Sequence, residues 1–529
     1  MEENNAKEFL ESQTKSIKVL LKNATHAYWD ATTKGNKEDY EKYESSQKEM
    51  AKFLNNKENY EKVKEFLKTD IKDELVKRQL KLLYNSYLGN QGDIKLINKI
   101  LEKSTSMEEK FNKFRANLSG KELTDNQIKD ILKEETDSKK LQEAWEASKM
   151  QGELVAGDLI ELVKLRNELA RSLGFENYYA LSLEVNEQKE KDIAKIFDKV
   201  AKLTDVPYEE IKKKIDNFFY KRYNVKELKP WHYQDLFFQE APHITDVDLD
   251  KFYTEDILVK AEKFYSSIGI DVSDILKRSD LYEKPGKYQH AYCMDLDREG
   301  DIRSLMNIKN NDKWMDTVLH ELGHGVYWKY IDKSLPFLIR DTSHTLTTEA
   351  IAQLFGRLSK NTSFIKKFCN VFSDEVNKAE KDIEESLKLK ELIFARWSQV
   401  MFNFERSLYS NPDQNLNKLW WDIVKKYQRV DFSRDKADWA SKIHFVTGPV
   451  YYHNYLIGEL YASQINNHIA KKILRKKSSR NIDYAGNKEV GDYLKAKIFF
   501  PGAIYKWDEL IKHSTGENLN PKYWVKDFC

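Results

Sequence analysis

His320 and His324 stand four residues apart in the segment DTVLHELGHGVYWKY, and Glu321 directly follows the first of them. Positions i and i+4 of a helix share one face, so both imidazoles can reach a single ion. Glu321 then lies close enough to take a proton from a water beside that ion. The spacing His-Glu-x-x-His therefore points to one zinc ion that acidifies a water for attack on an amide. Such a site needs a third protein ligand and one open position. The metzincin continuation, with a glycine and a third histidine three and six residues past His324, is excluded because Tyr327 and Tyr330 occupy those places. Glu349, 25 residues after His324, falls in TLTTEAIAQLFGRL, which reads as a second helix. Its neighbours Ala350, Ile351 and Ala352 are too apolar for a fully solvated helix face, so Glu349 is the expected third ligand. His344, in the loop before that helix, is the competitor.

Holding these residues in place takes helices, and the composition supplies them. The 529 residues include only 19 Gly and 9 Pro, about 5% where roughly 12% is usual. Apolar residues make up 40% of the chain, enough for a sizeable core. An all-α fold is expected. Residues 1–115 read as long, charged, amphipathic helices, opened by Phe9, Ile17, Val19, Leu20 and Leu21. A further block over 140–190 places Leu159, Leu162, Leu165, Leu169 and Leu173 at helical spacing and breaks near Gly174. One stretch differs: Lys287 to Ile308, with Arg-Glu-Gly-Asp at its centre, reads as a β-hairpin. No Pro- or Ser-rich linker divides the chain. Residues 1–529 therefore read as a single helical unit, with 1–115 as an N-terminal region and 116–529 as the body that carries the metal site.

The 88 basic and 86 acidic residues nearly balance, which excludes a global nucleic-acid footprint. The basic run Lys471 to Arg480 (KKILRKKSSR) reads as a solvated face. Cys293, Cys369 and Cys529 are too few and too far apart for a disulfide framework, which fits a reducing compartment. The N-terminus lacks the cationic start and apolar stretch of a signal peptide, and no run of 18 apolar residues exists. A soluble, cytoplasmic protein is expected, with no membrane or nucleic-acid partner. The reactivity of Cys293 is left open.

With these residues in view, the chain resembles the gluzincin peptidases, in particular the angiotensin-converting enzyme family. The related thimet oligopeptidase family shares the zinc motif and the third-ligand spacing. The likeness runs from about residue 145 to the C-terminus, and the N-terminal helices resemble the family's lid more loosely. GFENYYALSL fits either family, while four further segments fit the converting-enzyme side. His290-Ala291 resembles a His-Ala pair on a short strand that aligns substrate. Lys442, His444, Tyr452 and Tyr455 resemble a Lys-x-His segment followed by two tyrosines. Gln239, in PWHYQDLFFQ, resembles a glutamine of the carboxylate pocket. Trp420-Trp421 and the C-terminal stretch from Gly491 resemble scaffold.

The resemblance implies an all-α, elongated ellipsoid with a deep central channel, an N-terminal helical lid and one short β-sheet lining the zinc cleft. A lidded channel needs no second subunit, so a monomer is expected. The implied activity is removal of dipeptides from the C-termini of short peptides, with one Zn2+ per chain held by His320, His324 and Glu349. Glu321 would be the general base, Tyr455 the oxyanion donor, and His444 its assistant. His290 and Ala291 would align the substrate, and Gln239, Lys442 and Tyr452 would bind its free C-terminal carboxylate. The alternatives are a thimet-like oligopeptidase that cuts internally and an inactive helical peptide-binding protein. There are departures from the family. The spacing from His444 to the tyrosine pair is one residue longer, which leaves Tyr451 as an alternative to Tyr452. Asn454 and Val424 stand where the family has its chloride-binding arginines. Gln353 stands where converting enzymes carry an Asp that orients a zinc histidine.

Overall fold

Side-chain caps punctuate this chain. Asn36, Asn56, Asp73, Asp93, Thr124, Asp137 and Asn177 each precede a helix and accept a backbone N–H of its first turn. Each such cap contributes about 1 kcal/mol. The computed structural model describes residues 2–245, 247–288, 290–482 and 484–529. It is 68% helical, and among the described residues its strands form two two-stranded sheets. No described helix is long and apolar enough to cross a membrane.

The chain divides into two compact units. The first comprises Met1–Gln91, Val247–Glu384 and Ile457–Asp527. Its N-terminal helices, Glu2–Lys34, Lys37–Leu54, Lys57–Phe66 and Glu74–Leu88, bury Phe9, Leu10, Val63, Leu80, Leu83 and Tyr87 in one cluster. The first of them is fastened to a hairpin further along the chain. The Thr32 carbonyl accepts the Tyr288 N–H at 2.8 Å, and the Thr32 hydroxyl meets the Tyr292 hydroxyl at 2.6 Å. Thr25 donates to the Leu296 carbonyl at 2.6 Å, and Trp29 packs with Leu296 and Leu305. Gly35 and Gly286 meet backbone to backbone at φ of 70° and 81°; a Cβ on Gly35 would fall 1.9 Å from the Gly286 carbonyl oxygen. Only glycine permits that approach.

The second unit comprises Gly92–Asp246, Glu385–Leu456 and Phe528–Cys529. Its long helix Ser138–Ser172 buries Leu159, Leu162, Leu165 and Leu169 as expected, while Leu173 caps its end and Gly174 follows at φ 88°. This unit also holds the sheet that the sequence reading did not anticipate. Strands β1 (Ala116–Leu118) and β2 (Lys121–Leu123) pair across Ser119-Gly120, both at positive φ. Two consecutive left-handed residues make the tight turn suited to strand twist. The strands are only three residues long, too short to show alternation. The fold therefore has two short sheets where one was expected.

The expected hairpin lies in the first unit as β3 (Tyr292–Asp295) and β4 (Ile302–Leu305), paired antiparallel. Gln289, just before it, is outside the described residues.

Candidate metal centre

The helix Asp312–Lys329 starts from Asn311, whose side chain accepts the Trp314 N–H at 2.8 Å. It presents His320 and His324 one turn apart. The helix Thr345–Gly356 packs directly on it through two small residues. A Cβ on Gly323 would fall 2.9 Å from the Ala352 Cα, so the two backbones touch there. Gly325 leaves room on the opposite side for Cys293 of β3 and for Ile275. The glycine-rich HELGHG segment is thus shaped by close packing as well as by ligand spacing.

That approach brings three donors together. His320 Nε2 and His324 Nε2 are 3.2 Å apart, and Glu349 Oε2 lies 3.6 Å from the first and 3.8 Å from the second. The centre of such a triangle is about 2.1 Å from each corner, the length of a zinc–nitrogen or zinc–oxygen bond. The group is the one set of metal-capable side chains found together among the described residues. Two imidazoles and a carboxylate fit zinc with one position open for water. The Glu349 side chain is 6% exposed, and a Cβ on Gly458 of the helix His453–His468 would fall 3.0 Å from the Glu349 Cβ.

The surroundings tune these groups. His324 Nδ1 is 2.7 Å from the buried Thr348 hydroxyl, which leaves Nε2 as the nitrogen facing Glu349. A partner on the far ring nitrogen fixes the tautomer of a metal-binding histidine. Burial, and after it His320, holds the His324 imidazole well below its ordinary pKa and so neutral. Burial, and after it the charge of Glu349, pushes the Glu321 carboxyl up to about 8. Burial and the nearby Glu321 also push the Cys293 thiol well up. Cys293 is therefore an inert neighbour and not a reactive thiol.

His344 does not join the ligands. It is the N-cap of the second helix, accepting the Leu346 N–H on Nδ1 at 3.0 Å. His290 and Ala291 lie in the first unit just before β3, His290 exposed and Ala291 half-buried. Gln353 is half-buried on the ligand helix, while Thr348 holds His324. The sequence contains three threonines in TLTTEA, and nothing in their pattern singles out Thr348.

The remaining expected site residues belong to the second unit. Lys442 Nζ donates to Gln239 Oε1 at 2.6 Å and lies 5.5 Å from the Tyr452 ring. Tyr452 is 5% exposed and its hydroxyl accepts from the Trp397 indole at 2.6 Å. Burial lowers the Lys442 ammonium to about 8. The His444 ring is 5.1 Å from Tyr452, and Tyr455 is 5.2 Å from Tyr452. Tyr452 thus lies beside Lys442. The chain arrives at this register through Val450, which takes φ 56° and donates its N–H to the buried Glu405 at 2.7 Å. A β-branched residue in the left-handed region is strained, and the strain sits in the segment that is one residue longer than the family pattern. Asn454 is engaged by Gln188 at 2.7 Å, and Val424 is buried.

Comparison with known proteins identifies the family. Residues 1–232 and 239–522 match the angiotensin-converting enzyme family. The chain is 22% identical to carboxypeptidase 1 of Bacillus subtilis over 45% of its own length and 51% of that protein, so it spans about half of this relative. It is 21% identical to an angiotensin-converting enzyme-like protein of Mus musculus over 99% of its length and 75% of that protein. An inactive angiotensin-converting enzyme-related protein of Caenorhabditis elegans is 23% identical over 36% of this chain and 23% of its own length. The match runs almost from end to end, through the His320–His324 helix and Glu349, and on it the chain belongs to the angiotensin-converting enzyme family of zinc-dependent metallopeptidases.

Proposed function

We propose that this protein hydrolyses short peptides and releases dipeptides from their free C-termini. The observation that carries the hydrolytic reading is the triangle of His320, His324 and Glu349 with Glu321 buried beside it. A zinc ion held there supplies a Lewis acid that polarises the scissile carbonyl and acidifies the attacking water. Glu321 takes the proton as the water oxygen bonds to the carbonyl carbon. It then passes the proton to the departing amine as the carbon–nitrogen bond breaks. By resemblance, Tyr455 donates its phenol to the developing oxyanion and His444 assists. His290 and Ala291 align the peptide backbone.

The preference for a free C-terminus rests on Lys442, Gln239 and Tyr452. A buried ammonium, an amide and a phenol gathered within one cluster suit a carboxylate that brings its own negative charge. Anchoring that carboxylate at one distance from the scissile bond would make the enzyme count residues from the end. The described residues contain no disulfide, which suits the reducing, cytoplasmic setting and the monomer that we propose.

One unstructured decapeptide, as free acid and as C-terminal amide, tests the reading with zinc-loaded protein and a chelator control. Mass spectrometry should show stepwise loss of C-terminal dipeptides from the acid alone. Internal cuts in both forms would instead establish an oligopeptidase, the activity named for PepF of Bacillus subtilis, which is 24% identical over 47% of this chain. No chelator-sensitive cleavage of either form would refute the catalytic reading. It would put this chain beside its inactive relative despite an intact His320, Glu321, His324 and Glu349.

A further inference from the structure

Gln234 and Phe238 both take left-handed backbone conformations, at φ of 60° and 52°. Between them lies Asp235, 2% exposed. One of its carboxylate oxygens accepts the N–H groups of Phe237 at 2.9 Å and Gln239 at 3.0 Å. From outside the turn, the Gln428 amide donates to the carbonyls of Phe237 at 3.1 Å and Phe238 at 2.7 Å. A strained turn pinned in this way delivers two groups at fixed positions, the Phe237 ring and the Gln239 amide.

Two ammonium groups meet what the turn delivers. Lys442 Nζ is 5.3 Å from the Phe237 ring and bonded to Gln239, while Lys149 Nζ is 3.3 Å from the same ring. Both lysines are buried, and their hydrogen-bond partners are neutral: Gln239 for Lys442, and Ser441 at 3.4 Å for Lys149. The second oxygen of Asp235 is buried and makes no hydrogen bond among the described residues. Buried charges without a counter-charge are costly.

We propose that Asp235 is a positioning residue for peptide selectivity: one oxygen builds the turn that presents Gln239, and its charge keeps Lys442 an ammonium able to bind a substrate carboxylate. The inference rests on the carboxylate reading of the Lys442 cluster given above. Asp235 is the leading charge that opposes the effect of burial on Lys442. Glu240 acts in the same direction, and Lys129 and Lys149 act against it.

Asp235→Asn keeps an oxygen for the turn and removes the charge, so it separates the two roles. Asp235 reaches Lys442 through Gln239, whose N–H it accepts and whose amide oxygen accepts the ammonium, and loss of a nearby opposite charge moves a titration midpoint by about one unit. Burial brings the Lys442 ammonium down to about 8. With its midpoint lowered by about one unit, the charged fraction falls about threefold at pH 7.5 and about eightfold at pH 8.5, and hardly changes at pH 6. The ratio of kcat/KM for the free-acid decapeptide to that for its amide should fall by those factors in Asp235→Asn. The 13Cε resonance of Lys442, assigned by its loss in Lys442→Arg, should report the lower midpoint without any substrate. An unchanged midpoint would overturn the counter-ion role, and an unchanged pH profile of the ratio would overturn the role in selectivity. A wild type that treats acid and amide alike would sink the carboxylate reading and the selectivity role with it, while the Lys442 midpoint would still decide the counter-ion role.

Discussion

A single methyl group at Gly323 should dismantle the metal site. The side chain of Gly323→Ala would meet backbone on the neighbouring helix, with the Ala352 Cα at 2.9 Å and the Ala352 nitrogen and Ile351 oxygen at 3.2 Å. Ordinary carbon contacts lie near 3.5–4.0 Å, so the two helices must separate by about half an ångström to one ångström. Overpacking of this kind typically costs about 1–3 kcal/mol. The same displacement acts on the donors, because His320 and His324 ride on one helix and Glu349 on the other. Sides of 3.6 and 3.8 Å cannot grow by that amount and keep one ion within bonding distance of all three. Zinc affinity, measured by competition with a chromogenic chelator, should fall by at least an order of magnitude, and the zinc-free protein should melt earlier. Gly157→Ala is the control: nothing lies within 4 Å of its Cβ, and on a helix the change should stabilise by about 0.5–1 kcal/mol. If Gly323→Ala bound zinc as tightly as the wild type and melted at the same temperature, the link between helix approach and ligand geometry would be refuted.

Three further outcomes follow from the site. Glu321→Gln should retain zinc in the same competition assay and lose turnover; loss of zinc instead would show that Glu321 is a ligand. Thr348→Val should weaken zinc binding about 10- to 100-fold and Thr348→Ser should restore it, while equal affinities would reduce Thr348 to packing. Burial holds the Lys149 ammonium down at about 7, against an ordinary value of 10.5. The folded state therefore binds fewer protons than the unfolded one between these values, and stability rises with pH across that window. The wild type should gain melting temperature relative to Lys149→Met from pH 7 to pH 10; a difference that stays flat with pH would show that Lys149 is charged throughout.

The candidate metal site, the grouping of His320, His324 and Glu349, was legible because its information is local. His320, Glu321 and His324 sit on one turn of helix, and Glu349 betrayed itself through apolar neighbours that no solvated helix face would carry. His344 stayed in competition until the structure showed it closing the first turn of the ligand helix, a role the sequence left open. The supporting residues were not legible, because they act through contacts set by tertiary packing. Thr348 is one of several threonines in its segment. Asp235 looks like any acid in an aromatic run until the left-handed residues on either side of it are seen. The positive φ of Val450, just before Tyr451 and Tyr452, is a conformation that no propensity favours. The β1–β2 hairpin was missed for a similar reason: its evidence is one Ser-Gly turn between strands of three residues.

The clasp between Gly35 and Gly286 bears on how this protein can be engineered. Residues 2–34 are an obvious target for anyone wishing to trim the N-terminus. Yet Trp29 forms one cluster with Leu296 and Leu305, and Thr25 and Thr32 satisfy polar groups of the hairpin segment. Cutting the helix away would leave β3 without its outer splint. Cys293 on that same strand abuts Gly325 of the metal-binding helix. A deletion almost 290 residues upstream of His320 would thus be felt at the candidate metal ligands, whereas a tag fused ahead of Glu2 would leave the splint in place.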